Sequence, residues 1–268
     1  MNLRRTKLGK LAFYFKKGDK VVGERVALRK YESFESYLIG KISTGAGVAV
    51  DVGANIGYYT LILSQSFKKV FAFEPEPDNF HLLKKNLLVN KIKNVQIFQK
   101  AVSDNTGSLK LGLSKDNFGD HQIRSSEEGR KQITIKATTL DKAIKDRVSL
   151  LKIDTQGWEP KVIAGAKKII DRDRPVIFME FWPTGYRRAK LNYKQMMAYL
   201  VKQYGGIYLI DDYLGLVYRV KADSLVARCL TKKGYADLLL IQNPSLADKW
   251  LFKKNFNFKH WVKKALYL

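Results

Sequence analysis

Apolar residues in this chain gather in short runs that alternate with stretches of helical spacing. Val48 to Val52 is one such run; a helix over Tyr58 to Ser66 follows, then a strand over Val70 to Phe73. Pro77 to Asn90 reads as a helix with an apolar face of Phe80, Leu83, Leu87 and Leu88, and Val95 to Gln99 as a third strand. The alternation resumes with a strand over Ser149 to Asp154, a helix over Pro160 to Ile170 with Pro near its first turn, and a strand over Pro175 to Phe181. A helix over Tyr193 to Tyr204 and strands at Gly206 to Ile210 and Ala236 to Ile241 complete the series. Strands separated by helices of this length imply an α/β fold: a mostly parallel, doubly wound sheet with helices on both faces. Ser108 to Leu113 and Gln132 to Lys136 alternate apolar and polar residues between polar, glycine-containing loops, which marks a small antiparallel insertion. Ligands of such sheets sit at the carboxyl ends of the strands, near the switch in strand order.

At the carboxyl end of the first apolar run, Asp51, Gly53, Asn55 and Gly57 stand in the order Asp-x-Gly-x-Asn-x-Gly. Glycine belongs where a chain turns sharply or where a ligand comes too close for a Cβ atom. Glu74 closes the next strand, about 20 residues on, where an acid accepts hydrogen bonds from ribose hydroxyls. Loop and acid together describe a nucleoside-containing cofactor. A dinucleotide site wants Gly-x-Gly-x-x-Gly with the pyrophosphate on a helix amino terminus, and this loop does not fit it. Asp51 would also repel a pyrophosphate, whereas it suits the cationic sulfonium and ammonium groups of S-adenosylmethionine.

Composition narrows the class further. With 46% hydrophobic and 28% charged residues among 268, the chain is globular and can bury a sizeable core. The single cysteine, Cys229, excludes an internal disulfide and suits a reducing compartment. Leu11 to Phe15 is too short for a signal peptide core, and no window approaches the roughly 18 apolar residues that cross a bilayer, so a cytoplasmic location is expected. The formal charge of +24 concentrates polyanions or anionic headgroups near the surface. It divides the chain into a basic segment with a cap helix (1–40), a cofactor-binding domain (41–243) and a basic tail (244–268). In the tail, Phe258, Trp261, Val262, Ala265 and Leu266 follow helical spacing between Lys259, Lys263 and Lys264, the pattern of a helix that lies peripherally on anionic membrane.

The ordered motifs resemble the FkbM family of methyltransferases over about Tyr31 to Phe181. They are Val50-Asp51-Val52-Gly53-Ala54-Asn55-Ile56-Gly57-Tyr58-Tyr59-Thr60, Phe73-Glu74-Pro75, Ala101-Val102-Ser103-Asp104 with Gly107, Thr139-Leu140-Asp141, and Leu151-Lys152-Ile153-Asp154-Thr155-Gln156-Gly157-Trp158-Glu159. Gly165-Ala166 and Arg174-Pro175 ahead of Glu180 complete the series. The resemblance implies a class I methyltransferase (Rossmann-like) fold with a seven-stranded sheet, S-adenosylmethionine as cofactor, and a hydroxyl acceptor on a sugar, glycolipid or secondary metabolite. It puts Asp51, Gly53, Ala54, Asn55, Gly57 and Tyr58 at the methionine half of the cofactor. The ring faces of Tyr58 and Tyr59 suit contact with the sulfonium, the alternative being that one of them packs into the core. Glu74 with Pro75 falls at the ribose, and Ala101 and Val102 at the adenine. Glu32, within Tyr31-Glu32-Ser33-Phe34-Glu35, reads either as closing over the cofactor or as an exposed helix acid. Gln156 stands where the family often has Glu, and Trp158 where it often has a small residue.

Methyl transfer to a hydroxyl benefits from a base within hydrogen-bond reach. Asp154, at a strand tip, suits that role or a hold on the cofactor's ammonium group. Lys152, two residues earlier on the same side, suits a developing alkoxide or a partner acid. Glu180 ends the apolar strand Val176-Ile177-Phe178-Met179 and is a third candidate, with a Lys152–Glu180 ion pair as the alternative. No metal site is expected, since His81, His121 and His260 are scattered and make no ligand spacing. Two rival functions stand beside this one: a nucleic-acid (RNA) methyltransferase, suggested by the charge, and a non-catalytic membrane-surface module. Against the first, Asp154-Thr155-Gln156-Gly157 replaces the Asn/Asp-Pro-Pro-aromatic run of amino-methylating enzymes.

Overall fold

A computed structural model describes residues 2–28, 31, 33–42, 45–114, 119–123, 130–211, 215–231 and 234–242. Glu32 and the tail 244–268 lie outside the described residues. The chain opens with an antiparallel hairpin, β1 (Leu3–Leu8) and β2 (Leu11–Lys16), then α1 (Gly23–Ala27) and α2 (Ser33–Ile42). Gly9, at φ 57°, supplies the left-handed turn that lets Leu8 pair with Leu11. Phe13 and Phe15 bury completely, while Arg4, Arg5 and Lys7 stay in solvent.

The α/β body follows as β3 (Val48–Val52), α3 (Tyr58–Ser66), β4 (Lys69–Phe73), α4 (Pro77–Val89) and β5 (Val95–Phe98). Next come the inserted strands β6 (Ala101–Val102), β7 (Gly107–Gly112), β8 (Gln122–Ile123) and β9 (Gln132–Thr138), and then α5 (Leu140–Ala143). The chain returns to the sheet with β10 (Leu150–Ile153), α6 (Glu159–Ala164), α7 (Lys167–Asp173) and β11 (Val176–Phe181). It ends, among described residues, with α8 (Pro183–Arg188), α9 (Tyr193–Tyr204), β12 (Ile207–Asp211), β13 (Leu216–Val220), α10 (Ala222–Thr231) and β14 (Ala236–Leu240).

The main sheet has the order β13-β12-β14-β11-β10-β3-β4-β5. Neighbours from β11 to β5 pair in parallel, and β14 is antiparallel to both β11 and β12. All strands except β13 and β14 therefore run one way. The chain builds outward from β3 through β4 and β5, then returns to the other side through β10 and β11. The switch in strand order falls between β3 and β10, and that is where a ligand crevice opens. The sheet holds eight strands, not the expected seven, because Leu216–Val220 pairs as a hairpin partner along the outer edge of β12. The insertion forms a separate four-stranded sheet, β6-β9-β7-β8, whose β7–β9 and β7–β8 pairs are antiparallel.

Apolar clusters cover both faces of the main sheet, one around Val50, Ile153, Ile177 and Leu200, the other around Ala49, Ala72, Phe178 and Leu239. The helix read over Pro160 to Ile170 is two helices. Gly165 caps α6 at the junction, where any Cβ would sit 2.0 Å from the carbonyl oxygen of Ser103, 62 residues back in the chain. Among the described residues no helix is long and apolar enough to cross a membrane.

Candidate active site

Asp51, Lys152 and Ala72 share one register across β3, β10 and β4, one step short of the strand ends. Asp51 is buried; its Oδ2 accepts a 2.6 Å hydrogen bond from Thr60 Oγ1 of α3, and its Oδ1 has no hydrogen-bond partner among the described residues. Burial raises its pKa, against the opposing pull of the Lys152 charge. The glycine loop then turns at Gly53, where φ is +83° and a Cβ would lie 1.7 Å from the Asp154 carbonyl oxygen. The close neighbour that demands glycine here is the protein's own β10 loop. Gly57, at φ +95°, starts α3 against Leu83 and stands back from the cleft wall.

Glu74, buried at the end of β4, links the loop to the next turn. Its Oε2 accepts from the Asn55 N–H and its Oε1 from the Glu76 N–H, both at 2.8 Å. Desolvation outweighs these bonds and pushes its pKa up to about 8. Each oxygen keeps a lone pair for a further donor. Asn55 Oδ1 is a second buried acceptor without a hydrogen-bond partner among the described residues.

On the other side of the switch, Asp154 is held at both oxygens. Lys152 Nζ lies 3.5 Å from Oδ2, and Gln156 Nε2 donates to Oδ1 at 2.9 Å. Lys152 is buried with its ammonium 4.2 Å from the centre of the Tyr59 ring. The loop that presents Gln156 has left-handed residues at Gln156 and Gly157. It is pinned by the fully buried Glu159, which accepts from the Thr155 N–H and hydroxyl and from the Gly157 N–H. Burial pushes the Glu159 pKa up to about 7. Trp158 turns to Ser103, its Nε1 donating to Oγ at 3.3 Å, and is absent from the cleft wall. Glu180 lies level with Asp237 in the β11–β14 pairing and is also absent from that wall.

The helix α2 contributes an acid that the sequence reading passed over. Glu35 is buried and accepts a 2.6 Å hydrogen bond from the Tyr59 hydroxyl; burial, countered by Lys152, raises its pKa to about 7. Tyr58 donates to the Tyr31 carbonyl, bringing the amino-terminal segment to the cleft. The signal that reveals Glu35 is helical spacing: it lies between Phe34 and Leu38 on the face that buries.

These groups surround a cleft that opens to solvent. Its wall includes Asp51, Gly53, Ala54, Asn55, Tyr58, Tyr59, Glu74, Pro75, Ala101, Val102, Lys152 and Asp154. Buried acids thus outnumber the one buried ammonium. A cation with a polar nucleoside fits: an unpartnered carboxylate oxygen awaits positive charge at Asp51, and Glu74 awaits hydroxyl donors.

The model of the methyltransferase FkbM domain matches residues 51–208, spanning the glycine loop, the β10 loop and β12. The chain belongs to the FkbM methyltransferase family. An FkbM methyltransferase draws its methyl group from S-adenosylmethionine, which agrees with the charge of the cleft. Two curated relatives are similar. "Methyltransferase sdnD" of Sordaria araneosa is 24% identical over 175 residues, 52% of this chain and 68% of the relative. "Methyltransferase 1" of Beauveria bassiana (strain ARSEF 2860) is 26% identical over 141 residues, 43% of this chain and 57% of the relative. The crystal structure of an FkbM methyltransferase from Methylobacillus flagellatus KT has a TM-score of 0.49 and 18% identity, covering 74% of this chain and 44% of that one. This FkbM chain spans 68% and 57% of the two curated relatives and 44% of the Methylobacillus flagellatus protein.

Proposed function

We propose that the chain transfers a methyl group to a hydroxyl oxygen of a sugar, a glycolipid or polysaccharide, or a secondary metabolite. The observation that carries the reading is the doubly held carboxylate of Asp154 on the wall of the donor cleft. S-adenosylmethionine, when bound, supplies a methyl carbon already activated by its sulfonium. What this chain must add is alignment of the acceptor and removal of its proton. Asp51 Oδ1 and the Glu35–Tyr59 pair offer negative charge to the cationic half of the donor, and Glu74 takes the ribose hydroxyls. Asp154 accepts the proton of the acceptor hydroxyl. Lys152, fixed by Asp154 and the Tyr59 ring, steadies the oxygen's developing charge. Glu180 supports this floor from the neighbouring strand.

A carboxylate base held by an amide and an ammonium favours a hydroxyl acceptor. Methylation at a pyrimidine carbon needs a cysteine nucleophile, and Cys229 is buried in α10 with its Sγ 3.8 Å from the Phe181 carbonyl, its pKa raised by burial to about 11. The basic tail 244–268 is proposed as a lipid-surface attachment that brings a glycolipid acceptor within reach. The test of the reaction is methyl transfer to a panel of methyl glycosides and glycolipids by the wild type and Asp154→Asn. Turnover in the variant should fall by about 10²- to 10⁴-fold with unchanged donor affinity. Unchanged turnover would remove Asp154 as base.

A further inference from the structure

Part of the cleft wall comes from the inserted four-stranded sheet. Leu111 of β7, Gly119, His121 and Ile123 of β8 face the cleft together with Ala101 and Val102 of β6. Leu111, Ile123, Ala101 and Val102 offer apolar surface to a flat ring and no side-chain donor. Lys100 reaches the same region, but a half-exposed ammonium is strongly hydrated and selects charge, not the edge of a neutral base. His121 adds a polar side chain to this part of the wall.

Its protonation is set by its surroundings. The Ser114 N–H donates to His121 Nδ1 at 3.1 Å, so the neutral ring carries its proton on Nε2. The charged groups near it are Glu76, Lys16, Asp120 and Arg130. Burial lowers its pKa, with Lys16 and Arg130 acting the same way against Glu76 and Asp120, which keeps the ring neutral at physiological pH. A neutral imidazole whose Nδ1 is occupied offers one donor, Nε2–H, which suits a heterocyclic acceptor.

We propose that His121 recognises the nucleobase of the methyl donor, its Nε2–H donating to a ring nitrogen of adenine. This rests on the donor reading above and assigns the inserted sheet a binding role: it forms the base-contacting wall, and the Ser114 bond is the brace that orients its donor. Adenine presents ring-nitrogen acceptors in the plane of the base, and Leu111 and Ile123 on the same wall bring no side-chain donor of their own.

The experiment is titration calorimetry of S-adenosylhomocysteine and of 5′-methylthioadenosine, which keeps the nucleoside and lacks the amino-acid half. The variants are His121→Asn and His121→Gln. Asn places its carbonyl where Nδ1 was, so it still accepts from the Ser114 N–H but loses the Nε2 donor. Gln places an amide N–H near the Nε2 position. His121→Asn should weaken both compounds by the same factor, about three- to tenfold, as expected for one lost hydrogen bond. His121→Gln should stay within about twofold of the wild type. Thermal unfolding of both variants checks that they are folded. Unchanged affinity in folded His121→Asn, or a loss seen with S-adenosylhomocysteine and not with 5′-methylthioadenosine, would overturn the assignment while leaving the donor reading intact. Wild-type protein that binds neither compound would overturn the donor reading itself and this assignment with it.

Discussion

At position 156 a neutral amide donates to Asp154 Oδ1, where a carboxylate would repel it. Gln156→Glu should therefore turn that hydrogen bond into a like-charge contact and lower kcat/KM by about tenfold. Unchanged kcat/KM would mean that the Gln156 contact does not orient the Asp154 carboxylate. Gly53 behaves differently, since its constraint is steric. Gly53→Ala must force a Cβ into the Asp154 carbonyl at a φ of +83°, so urea unfolding should show a loss of about 2–4 kcal/mol. Asp51, Glu74 and Asp154 were legible in the sequence because each stands within one residue of the carboxyl end of its strand, on the cleft wall. Glu35 and His121 were not, because the groups that give them meaning, Tyr59 and Ser114 with the cleft wall, are brought to them by tertiary folding rather than by spacing.

Among elements, α4 joins the amino-terminal hairpin to the cofactor loop through one buried residue. Asn86 accepts from the Tyr14 N–H and donates to the carbonyls of Tyr14 and Ile56, the last inside the glycine loop. Asn90 bonds only hairpin and helix backbone. Asn86→Ala should cost about 1–3 kcal/mol of stability and weaken S-adenosylhomocysteine. Asn90→Ala should lower stability and leave that affinity unchanged; equal effects on binding would show that the hairpin, not the loop contact, matters. The strands and helices of the body follow from apolar runs and helical spacing and lie close to where the pattern puts them. The hairpin escaped the pattern because Phe13 and Phe15 sit in a short, lysine-bounded run, and β13 because it is an edge strand with a half-polar sequence. At the break between α6 and α7, Gly165 meets Ser103, which no local pattern contains.

Across the whole molecule, a formal charge of +24 surrounds a cleft rich in buried acid. The pKa values of Glu35, Glu74 and Glu159 are raised from 4.5 to about 7, 8 and 7. A carboxyl whose folded pKa lies above its unfolded one holds protons more tightly when folded. These groups therefore cost stability as pH rises from about 4.5 to about 8 and contribute no slope outside that window. The ligand-free melting temperature should fall across that range, and Glu35→Gln should flatten the fall; a slope unchanged in the variant would exclude Glu35 as a source. A bound cation favours the ionised acids, so S-adenosylmethionine should stabilise the protein more at pH 8 than at pH 5.5. The most direct measurement is calorimetric titration with S-adenosylmethionine at pH 7 in buffers of different ionisation enthalpy. Binding accompanied by net proton release is the expected result; no binding, or tighter binding of NAD, would contradict a methyl-donor cleft.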